Sequence, residues 1–440
     1  MSDSAFIRAL LFGDPDGLPV LLRALPRACA CGLVGAGIRP RQHAVLRQLA
    51  DEHKLPLLIQ PKASSPEYND FSERVRSLVP DLILTHSYSM RLAPDILAIP
   101  KYGAVNVHGG LLPQYRGCNP IQWALLNREL ETGVTMHHMT SEVDAGDIIA
   151  QRRVPILFTD TWRDVLARVT EATDTLLSEE LGQLLSGVSA RQPQDETRAR
   201  RYPRRDPEDG RIDWRWSVLH IYNLIRALVR PHPGAFSGDG PDRIVLDEYL
   251  TIPQVAAMKY GPAGGQRLAA GSVRLSLPGA DDLPHLLGWL ADHQGLRLGG
   301  PDSPPPAAPP HSDLAANQQG NDLVIFAIHP LGGGLLGAGR LYDIDYTQGH
   351  AQVGVRLGAT RPETAESDAE AIRLLVDFAF KDLLLHSLSA RIPASDLAAL
   401  RMYERAGFTW APLSGEETRT NDGPADLVRL RRVRVEHAAV

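Results

Sequence analysis

The first 110 residues alternate between short apolar runs and longer segments whose apolar residues recur at helical spacing. The runs at 6–13, 29–37, 56–60 and 81–88 have the length and apolar content of buried strands. Segments between them, such as RQHAVLRQLADEH at 41–53, place apolar residues on one helical face. Because strands that alternate with helices pair in parallel, this pattern predicts an α/β fold with a doubly wound parallel sheet.

Length and composition limit the classes of protein that this chain can represent. A chain of 440 residues exceeds what one hydrophobic core usually supports, so we expect two or three domains. The net charge of −6 argues against a nucleic-acid partner. No apolar run is long enough for a membrane span, and the N-terminus lacks the basic region of a signal peptide, so we expect a cytoplasmic protein without a membrane partner. Three cysteines provide neither a disulfide framework nor metal-site spacing, and no metal is predicted.

Two loops leave the ends of predicted strands, SYSMRLAP at 87–94 and NVHGGLLP at 106–113. A second stretch with candidate residues, SEVDAGDII at 141–149, lies downstream. In doubly wound sheets, ligands bind beyond the carboxyl ends of the strands. We therefore expect these loops to form a ligand site at one edge of the sheet.

The combination of NVH, LLPQYRG and DAGD resembles the formyltransferases that use N10-formyltetrahydrofolate, over about residues 5–240. NVH matches the family's Asn and His directly, and DAGD begins with its Asp. The resemblance thus implies three catalytic residues: Asn106, His108 and Asp144. It also implies that N10-formyltetrahydrofolate is the donor substrate and that a loop binds it through backbone groups. The implied cofactor-binding residues are Ser87, Tyr88, Ser89, Met90, Gly109 and Asp147.

The chemistry of formyl transfer explains these residue types. An imidazole that titrates near neutral pH can take a proton from the attacking amine or donate a hydrogen bond to the oxyanion. A carboxylate beside it can fix the tautomer and stabilise the imidazolium, so we assign Asp144 to orienting His108. The Asn106 amide can donate to the developing oxyanion, a contact typically worth ~3 kcal/mol. The two glycines after His108 let the backbone approach the ligands closely.

The sequence leaves the formyl acceptor open. This chain also resembles the methionyl-tRNA formyltransferases, which carry a basic insertion after the second strand. The corresponding segment here, GIRPRQHAV at 37–45, lacks that insertion, so tRNA is disfavoured as the acceptor. HHMTSEVDAGDIIAQ at 137–151 and PHPGAF at 231–236 resemble sugar formyltransferases that act on amino-sugar nucleotides. A small amine such as a hydroxylated ornithine, water as in a formyl-folate hydrolase, and a folate-binding sensor without turnover are alternatives. The expected partners are folate and a small amine, and a homodimer is an open alternative.

The last third resembles the GNAT acetyltransferase fold through YDIDYTQGHAQVGVRLG, LLVDFAF and ALRMYERAGF. That family binds the pyrophosphate of acetyl-CoA in a glycine-rich loop at a helix N-terminus. The corresponding segment at 357–371 lacks those glycines. The region that holds the glycines in that family contains Thr364, Glu366, Ser367 and Asp368 in this chain. Because acidic side chains would repel a pyrophosphate, we predict a degenerate domain that serves structure, dimerisation or substrate binding; an active acetyltransferase is the alternative.

Two further positions of that domain also bear on this prediction. Asp396 replaces the family's Asn before the last helix. Tyr403 matches the Tyr that often serves the family as general acid, and we interpret it as a packing residue.

These resemblances divide the chain into three predicted domains. They are a Rossmann-like catalytic domain at 1–190, a small helix and strand subdomain at 206–262, and a C-terminal α+β GNAT-like domain at 271–436. Polar residues around 190–210 predict a linker, and we interpret the basic run RARRYPRRD at 198–206 as a solvated part of it.

Overall fold

The chain divides into two compact units, Met1–Asp209 and Gly210–Val440. The computed structural model describes residues 7–26, 29–186, 190–261, 264–279, 282, 286, 320–357, 365–412 and 427–435. No helix within these ranges is long and apolar enough to cross a membrane.

The first unit is built around a mixed sheet. Its strands are β1 (Ala9–Gly13), β2 (Ala30–Ala36), β3 (Leu57–Gln60), β4 (Leu82–His86), β5 (Ala104–His108), β6 (Arg116–Gly117), β7 (Glu131–His138), β8 (Ile148–Pro155) and β9 (Arg201–Tyr202). The main sheet has the order β3-β2-β1-β4-β5-β7-β8, and β6 pairs separately with β9. The strand order reverses between β1 and β4, which is the position where ligands bind in doubly wound sheets.

The first five strands pair in parallel, as the alternating pattern predicts. At the far edge, however, β7 pairs antiparallel with both β5 and β8. This antiparallel edge was not predicted. It matters for the site because β7 places His137 beside Asn106, and the turn after β7 carries Asp144 to within 3.7 Å of His108.

Helices cover the sheet and bury the apolar stripes that the sequence indicates. They are α1 (Leu18–Ala24), α2 (His43–His53), α3 (Tyr68–Ser77), α4 (Pro94–Leu97), α5 (Pro120–Leu126) and α6 (Trp162–Leu185). The long helix α6 begins at a capping box, in which the Thr161 and Asp164 side chains bond to each other's backbone N–H groups. Its buried residues recur at helical spacing, so the helix is amphipathic and packs one face on the sheet.

The second unit contains a mostly antiparallel sheet of the α+β type predicted. Its helices are α7 (Val218–Ala227), α8 (Ile252–Lys259), α9 (Ala365–Asp377) and α10 (Leu397–Arg405). A small hairpin is formed by β10 (Ala235–Ser237) and β11 (Ile244–Leu246). The larger sheet contains β12 (Leu268–Ala270), β13 (Val273–Ser276), β14 (Val324–Pro330), β15 (Gly337–Asp345), β16 (His350–Leu357), β17 (Ser387–Pro393), β18 (Thr409–Ala411) and β19 (Leu427–Val433). Its order is β12-β13-β14-β15-β16-β17-β19-β18, with a parallel pair between β16 and β17.

A buried polar cluster joins the start of this unit to its end. Asp382, in a π-helical turn, accepts hydrogen bonds from Lys259 Nζ at 2.5 Å, Tyr260 Oη at 2.5 Å and the Val218 N–H at 3.1 Å. Lys259 and Asp382 are only 6% and 4% exposed. The compact unit therefore begins at Gly210 and includes both predicted C-terminal domains. Domain bounds at 262 and 271 stay a prediction.

Candidate active site

The three predicted catalytic side chains lie together where β5 ends. Asn106 and His108 belong to β5, and Asp144 lies in the turn between β7 and β8 with a left-handed φ of 57°. Asp144 Oδ1 is 3.5 Å from Asn106 Nδ2, and Asp144 Oδ2 is 3.7 Å from His108 Nδ1. The turn is held in this position by the Gly117 N–H, which donates to Asp144 Oδ2, and by Gln194 Nε2, which donates to the Asp144 and Gly146 carbonyls.

His108 is oriented by a backbone carbonyl. Its Nε2 is 2.7 Å from the carbonyl oxygen of Tyr115. A carbonyl only accepts hydrogen bonds, so Nε2 carries a proton and Nδ1, which faces Asp144, has a lone pair in the neutral ring. The sequence assigned the orienting contact to Asp144, whereas the structure gives it to Tyr115. The geometry leaves Asp144 the task of stabilising charge on the imidazole.

Asp144 is held as a carboxylate by several donors. The Gly117 N–H donates to its Oδ2 at 2.8 Å, and His137 Nε2 lies 3.5 Å from its Oδ1. Burial by itself would raise the pKa of the Asp144 carboxyl. The charge on His108, the contact with His137 and the Gly117 hydrogen bond outweigh burial, so the pKa lies well below its usual range.

His137 is a site residue that the sequence reasoning missed. It pairs across the strands with Asn106 and is 1% exposed. Its Nδ1 is 2.9 Å from the His138 carbonyl and therefore carries a proton, and its Nε2 lies between Asn106 Nδ2 at 3.1 Å and Asp144 Oδ1 at 3.5 Å. The signal in the sequence was the strand-like segment VTMHHM at 134–139, which contains two histidines. To predict that His137 faces the site, one must also know which residue of β5 pairs with it.

These side chains line a cavity of about 890 Å³. Ser87, Tyr88, Ser89, Met90 and Gly109, which the sequence predicts as cofactor-binding, also line it. In the described part of the chain, the backbone N–H and carbonyl groups from Tyr88 to Met90 have no protein hydrogen-bond partner. They are therefore free to bind a ligand.

Two side chains of the Ser87–Met90 loop, those of Tyr88 and Ser89, have partners within the protein. Tyr88 Oη donates to Gln60 Oε1 at 2.7 Å, and its ring lies edge-on to Phe12. Ser89 Oγ donates to the buried carboxylate of Asp14. These contacts stabilise the loop and leave recognition to its backbone.

Asp147 does not join the cavity wall formed by the other predicted site residues. Its side chain lies 3.8 Å from Arg191 Nη1, and its carbonyl accepts from the His138 N–H at 2.9 Å. We infer that Asp147 serves the DAGD motif by closing the turn after β7 through this hydrogen bond to His138. The expectation that it contacts the cofactor finds no support in this arrangement.

Gly109 provides space between His108 and α6. A Cβ at Gly109 would meet only Val169 Cγ1, at 3.8 Å, and the residue does not adopt positive φ. Val169 belongs to α6, whose residues Trp162 and Leu166 also line the cavity. The glycine therefore enlarges the cavity rather than relieving backbone strain.

The basic run at 198–206 also contributes to the cavity. Arg201, Tyr202, Pro203 and Arg204 line its wall. The Tyr202 ring stacks on Tyr115 with 5.0 Å between centroids. Most residues of the run are exposed, in agreement with a solvated segment, but the pairing of β9 with β6 and the packing of Tyr202 hold it against the loop after β5.

The predicted degenerate site of the C-terminal domain is described only in part. Thr364 and the Asp368 side chain lie outside the described residues. Glu366 pairs with Arg373 at 2.8 Å, and Ser367 Oγ is 2.9 Å from Ser272 Oγ. Loss of acetyl transfer stays a prediction.

Asp396 and Tyr403 have structural contacts in this domain. The Asp396 carboxylate caps α10 by accepting from the Ala399 N–H at 2.9 Å. Tyr403 is 4% exposed, and its Oη is 3.4 Å from the Val353 carbonyl. Burial raises the pKa of the Tyr403 hydroxyl, which fits a packing role better than proton transfer.

Three family models match the chain. Formyl transferase matches residues 34–181, and the formyl transferase C-terminal domain matches 205–248. The acetyltransferase (GNAT) domain matches 272–409.

Solved structures of formyltransferases resemble the first part of the chain. A sugar N-formyltransferase from a Shewanella species is 18% identical, with 55% of this chain and 97% of that chain covered and a TM-score of 0.47. A 4-N formyltransferase from Francisella tularensis is 17% identical, covers 55% and 98%, and has a TM-score of 0.46. An N-formyltransferase from Helicobacter canadensis, in complex with folinic acid and dTDP-3-aminofucose, is 16% identical, covers 55% and 96%, and has a TM-score of 0.40.

The matched family models agree with the motifs from which the site was built. The first covers Asn106, His108 and Asp144, and the second begins within the basic run. The chain is a formyl transferase enzyme that carries both formyl transferase domains followed by an acetyltransferase (GNAT) domain.

Proposed function

We propose that this protein transfers a formyl group from N10-formyltetrahydrofolate to the amine of an amino-sugar nucleotide. The observation that carries the proposal is the convergence of Asn106, His108 and Asp144 on one cavity. A volume of about 890 Å³ is at the upper end of ordinary ligand pockets, which suits a donor and an acceptor bound together.

Each of the three side chains has a distinct task in the proposed reaction. The acceptor nitrogen attacks the formyl carbon, a C–N bond forms and the formyl oxygen becomes an oxyanion. The Asn106 amide donates to that oxygen, and His108 Nδ1 takes the proton that leaves the amine. Asp144 stabilises the resulting imidazolium. The bond from carbon to N10 of the folate then breaks, and N10 receives a proton.

The cavity has the parts that a folate requires. The free backbone groups from Tyr88 to Met90 can bind the hydrogen-bonding edge of a pterin. Leu92 and Met139 supply apolar surface on the same wall for its ring faces. These residues would hold the donor, which supplies an activated formyl group.

A direct assay tests the reaction. The full chain is incubated with N10-formyltetrahydrofolate and a panel of amino-sugar nucleotides, with a hydroxylated ornithine included, and products are identified by mass. We expect one or more amino-sugar nucleotides to gain a formyl group. Formylation of the ornithine alone would contradict the proposed acceptor, and release of formate alone would indicate a hydrolase.

The role of His108 is tested by His108→Asn. Loss of the proton acceptor should lower kcat by roughly 10²–10⁴-fold, the usual range for general acid–base catalysis. Folate binding, measured by calorimetry, should persist because the backbone of the Ser87–Met90 loop is unchanged. His53→Asn, at the end of α2, is the matched control and should retain full activity. Turnover retained by His108→Asn would remove His108 from the mechanism.

A further inference from the structure

We propose that the segment Arg200–Arg205, here called the basic strap, binds an anionic group of a ligand at the mouth of the cavity. The group is a phosphate of a nucleotide-linked acceptor or the glutamate carboxylates of the folate donor. This inference rests on the proposed function. It concerns the side chains of Arg201 and Arg204, which have no role in the proposed reaction of Asn106, His108 and Asp144.

Backbone hydrogen bonds fix the strap to the loop that follows β5. β9, at its centre, pairs in parallel with β6. The Arg116 N–H donates to the Arg200 carbonyl at 3.0 Å, and the Cys118 N–H donates to the Tyr202 carbonyl at 3.2 Å. Trp123 Nε1 donates to the Pro203 carbonyl at 3.1 Å. The strap is thus positioned by the same loop that orients His108.

Aromatic packing anchors one face of the strap. Tyr202 stacks on Tyr115, and Trp123 lies 5.1 Å from Tyr202 between ring centroids. Tyr202 Oη accepts from Asn127 Nδ2 at 2.7 Å. With Tyr202 anchored, the strap has a defined conformation before a ligand binds, which lowers the entropic cost of binding.

Two arginines of the strap, Arg201 and Arg204, line the cavity and have no close carboxylate among the described residues. Arg201 and Arg204 are exposed and line the cavity. Within the described ranges, no carboxylate oxygen lies within 4.0 Å of either guanidinium. By contrast, Arg116 pairs with Glu196 at 2.7 Å, and Arg205 lies over Trp123 and donates to the Asp209 carbonyl. Arg116 and Arg205 are therefore structural. Arg201 Nη2 makes a long contact of 3.5 Å with the Val143 carbonyl, which is at the limit of a hydrogen bond, so the guanidinium groups of Arg201 and Arg204 are available to a ligand.

Further charges of the cavity wall favour an anion. Arg39 and Arg91 also line the cavity, and Arg39 is 4.0 Å from the Asp14 carboxylate. The acidic residues of this wall are Glu142 and Asp144, and Asp144 is engaged by the histidines and Gly117. The mouth therefore has an excess of positive charge, and guanidinium groups bind phosphate and carboxylate oxygens in bidentate fashion.

Equilibrium binding to the full chain tests the proposal. The probes are UDP and tetrahydrofolate with one or three glutamates, titrated by calorimetry at two salt concentrations. Arg201→Gln combined with Arg204→Gln should weaken binding of UDP or of the triglutamate by about 10-fold or more, given the strength of charge-assisted hydrogen bonds. The double substitution with Lys should restore part of the affinity. Arg47→Gln, on an exposed position of α2, is the matched control.

The outcomes separate the two sources of the anion. Weaker UDP binding with unchanged folate binding assigns the strap to the acceptor's phosphates. Weaker binding of triglutamate, with the monoglutamate unaffected, assigns it to the donor's tail. If the double Gln variant binds all probes as tightly as Arg47→Gln does, the proposal is overturned. It is also overturned if the unmodified protein neither binds UDP nor binds the triglutamate more tightly than the monoglutamate. None of these readouts requires turnover, so they are independent of whether formyl transfer is confirmed.

Discussion

At the scale of residues, the site depends on fixing the protonation states of two groups. The Tyr115 carbonyl requires a proton on His108 Nε2, which leaves Nδ1 to act as the base. Donors around Asp144 keep its carboxyl ionised even though it is largely buried. A permanent carboxylate 3.7 Å from Nδ1 favours proton transfer to the imidazole.

Substitution of Asp144 by Asn should therefore affect both catalysis and acid stability. Asn can still accept from the Gly117 N–H, but it cannot stabilise the imidazolium, so kcat should fall. Because the folded-state pKa of Asp144 is below its unfolded value, this carboxylate stabilises the fold above about pH 4 and loses that effect as pH falls. Between pH 5 and pH 2 the unmodified protein should lose on the order of 2 kcal/mol more unfolding free energy than Asp144→Asn.

Urea unfolding at a series of pH values measures this difference. Asp51→Asn, on the exposed face of α2, controls for removal of a surface carboxylate. Parallel loss of stability in Asp144→Asn and the unmodified protein would show that Asp144 is not held as a carboxylate by its neighbours.

At the scale of elements, the short pairing of β6 with β9 links the strap to the catalytic loop. Gly117 lies in β6 with a φ of 100°, and its N–H donates to Asp144. A Cβ at Gly117 would lie 2.2 Å from the Tyr202 carbonyl oxygen. One glycine thus contacts both the strap and the Asp144 carboxylate.

Gly117→Ala should disrupt this link. The clash with Tyr202 requires backbone movement, so we expect kcat/KM to fall at least 10-fold and the melting temperature to decrease. Gly103→Ala is a matched control, because Gly103 has a φ of 80° but a Cβ there meets nothing within 4 Å. The control should cost about 1–2 kcal/mol from its positive φ and leave kcat/KM unchanged. Equal activity of the two variants would mean that the β6–β9 contact is dispensable.

At the scale of the whole molecule, the acetyltransferase-like domain is integrated with the residues that precede it. Asp382 bonds to Lys259, Tyr260 and Val218, which lie more than 100 positions away in the chain. Because these groups are buried, each depends on the others for its hydrogen bonds. This integration supports a structural role for the domain.

Lys259→Met tests that integration. It leaves the Asp382 carboxylate buried without its cation, and breaking a buried pair typically costs about 3–5 kcal/mol. Lys381→Met removes an exposed pair with Asp377, and should cost less than ~0.5 kcal/mol. Urea unfolding of the full chain followed by fluorescence compares the two. If Lys259→Met lowers the free energy of unfolding as little as Lys381→Met does, the buried pair contributes little to the stability of the unit.

The sequence by itself determined the α/β class, the α+β character of the C-terminal domain and the candidate residues Asn106, His108 and Asp144. These follow from local signals, because strand and helix periods and short loop motifs are encoded by neighbouring residues. The tertiary structure alone decided the positions of His137, the Tyr115 carbonyl and the basic strap relative to His108 and Asp144. Each of these depends on contacts between residues that are separated in the chain, by 7 positions for His108 and Tyr115, 31 for Asn106 and His137, and 80 for Trp123 and Pro203. Local spacing does not specify such contacts, since they form only when β7 pairs antiparallel with β5 and β9 joins β6.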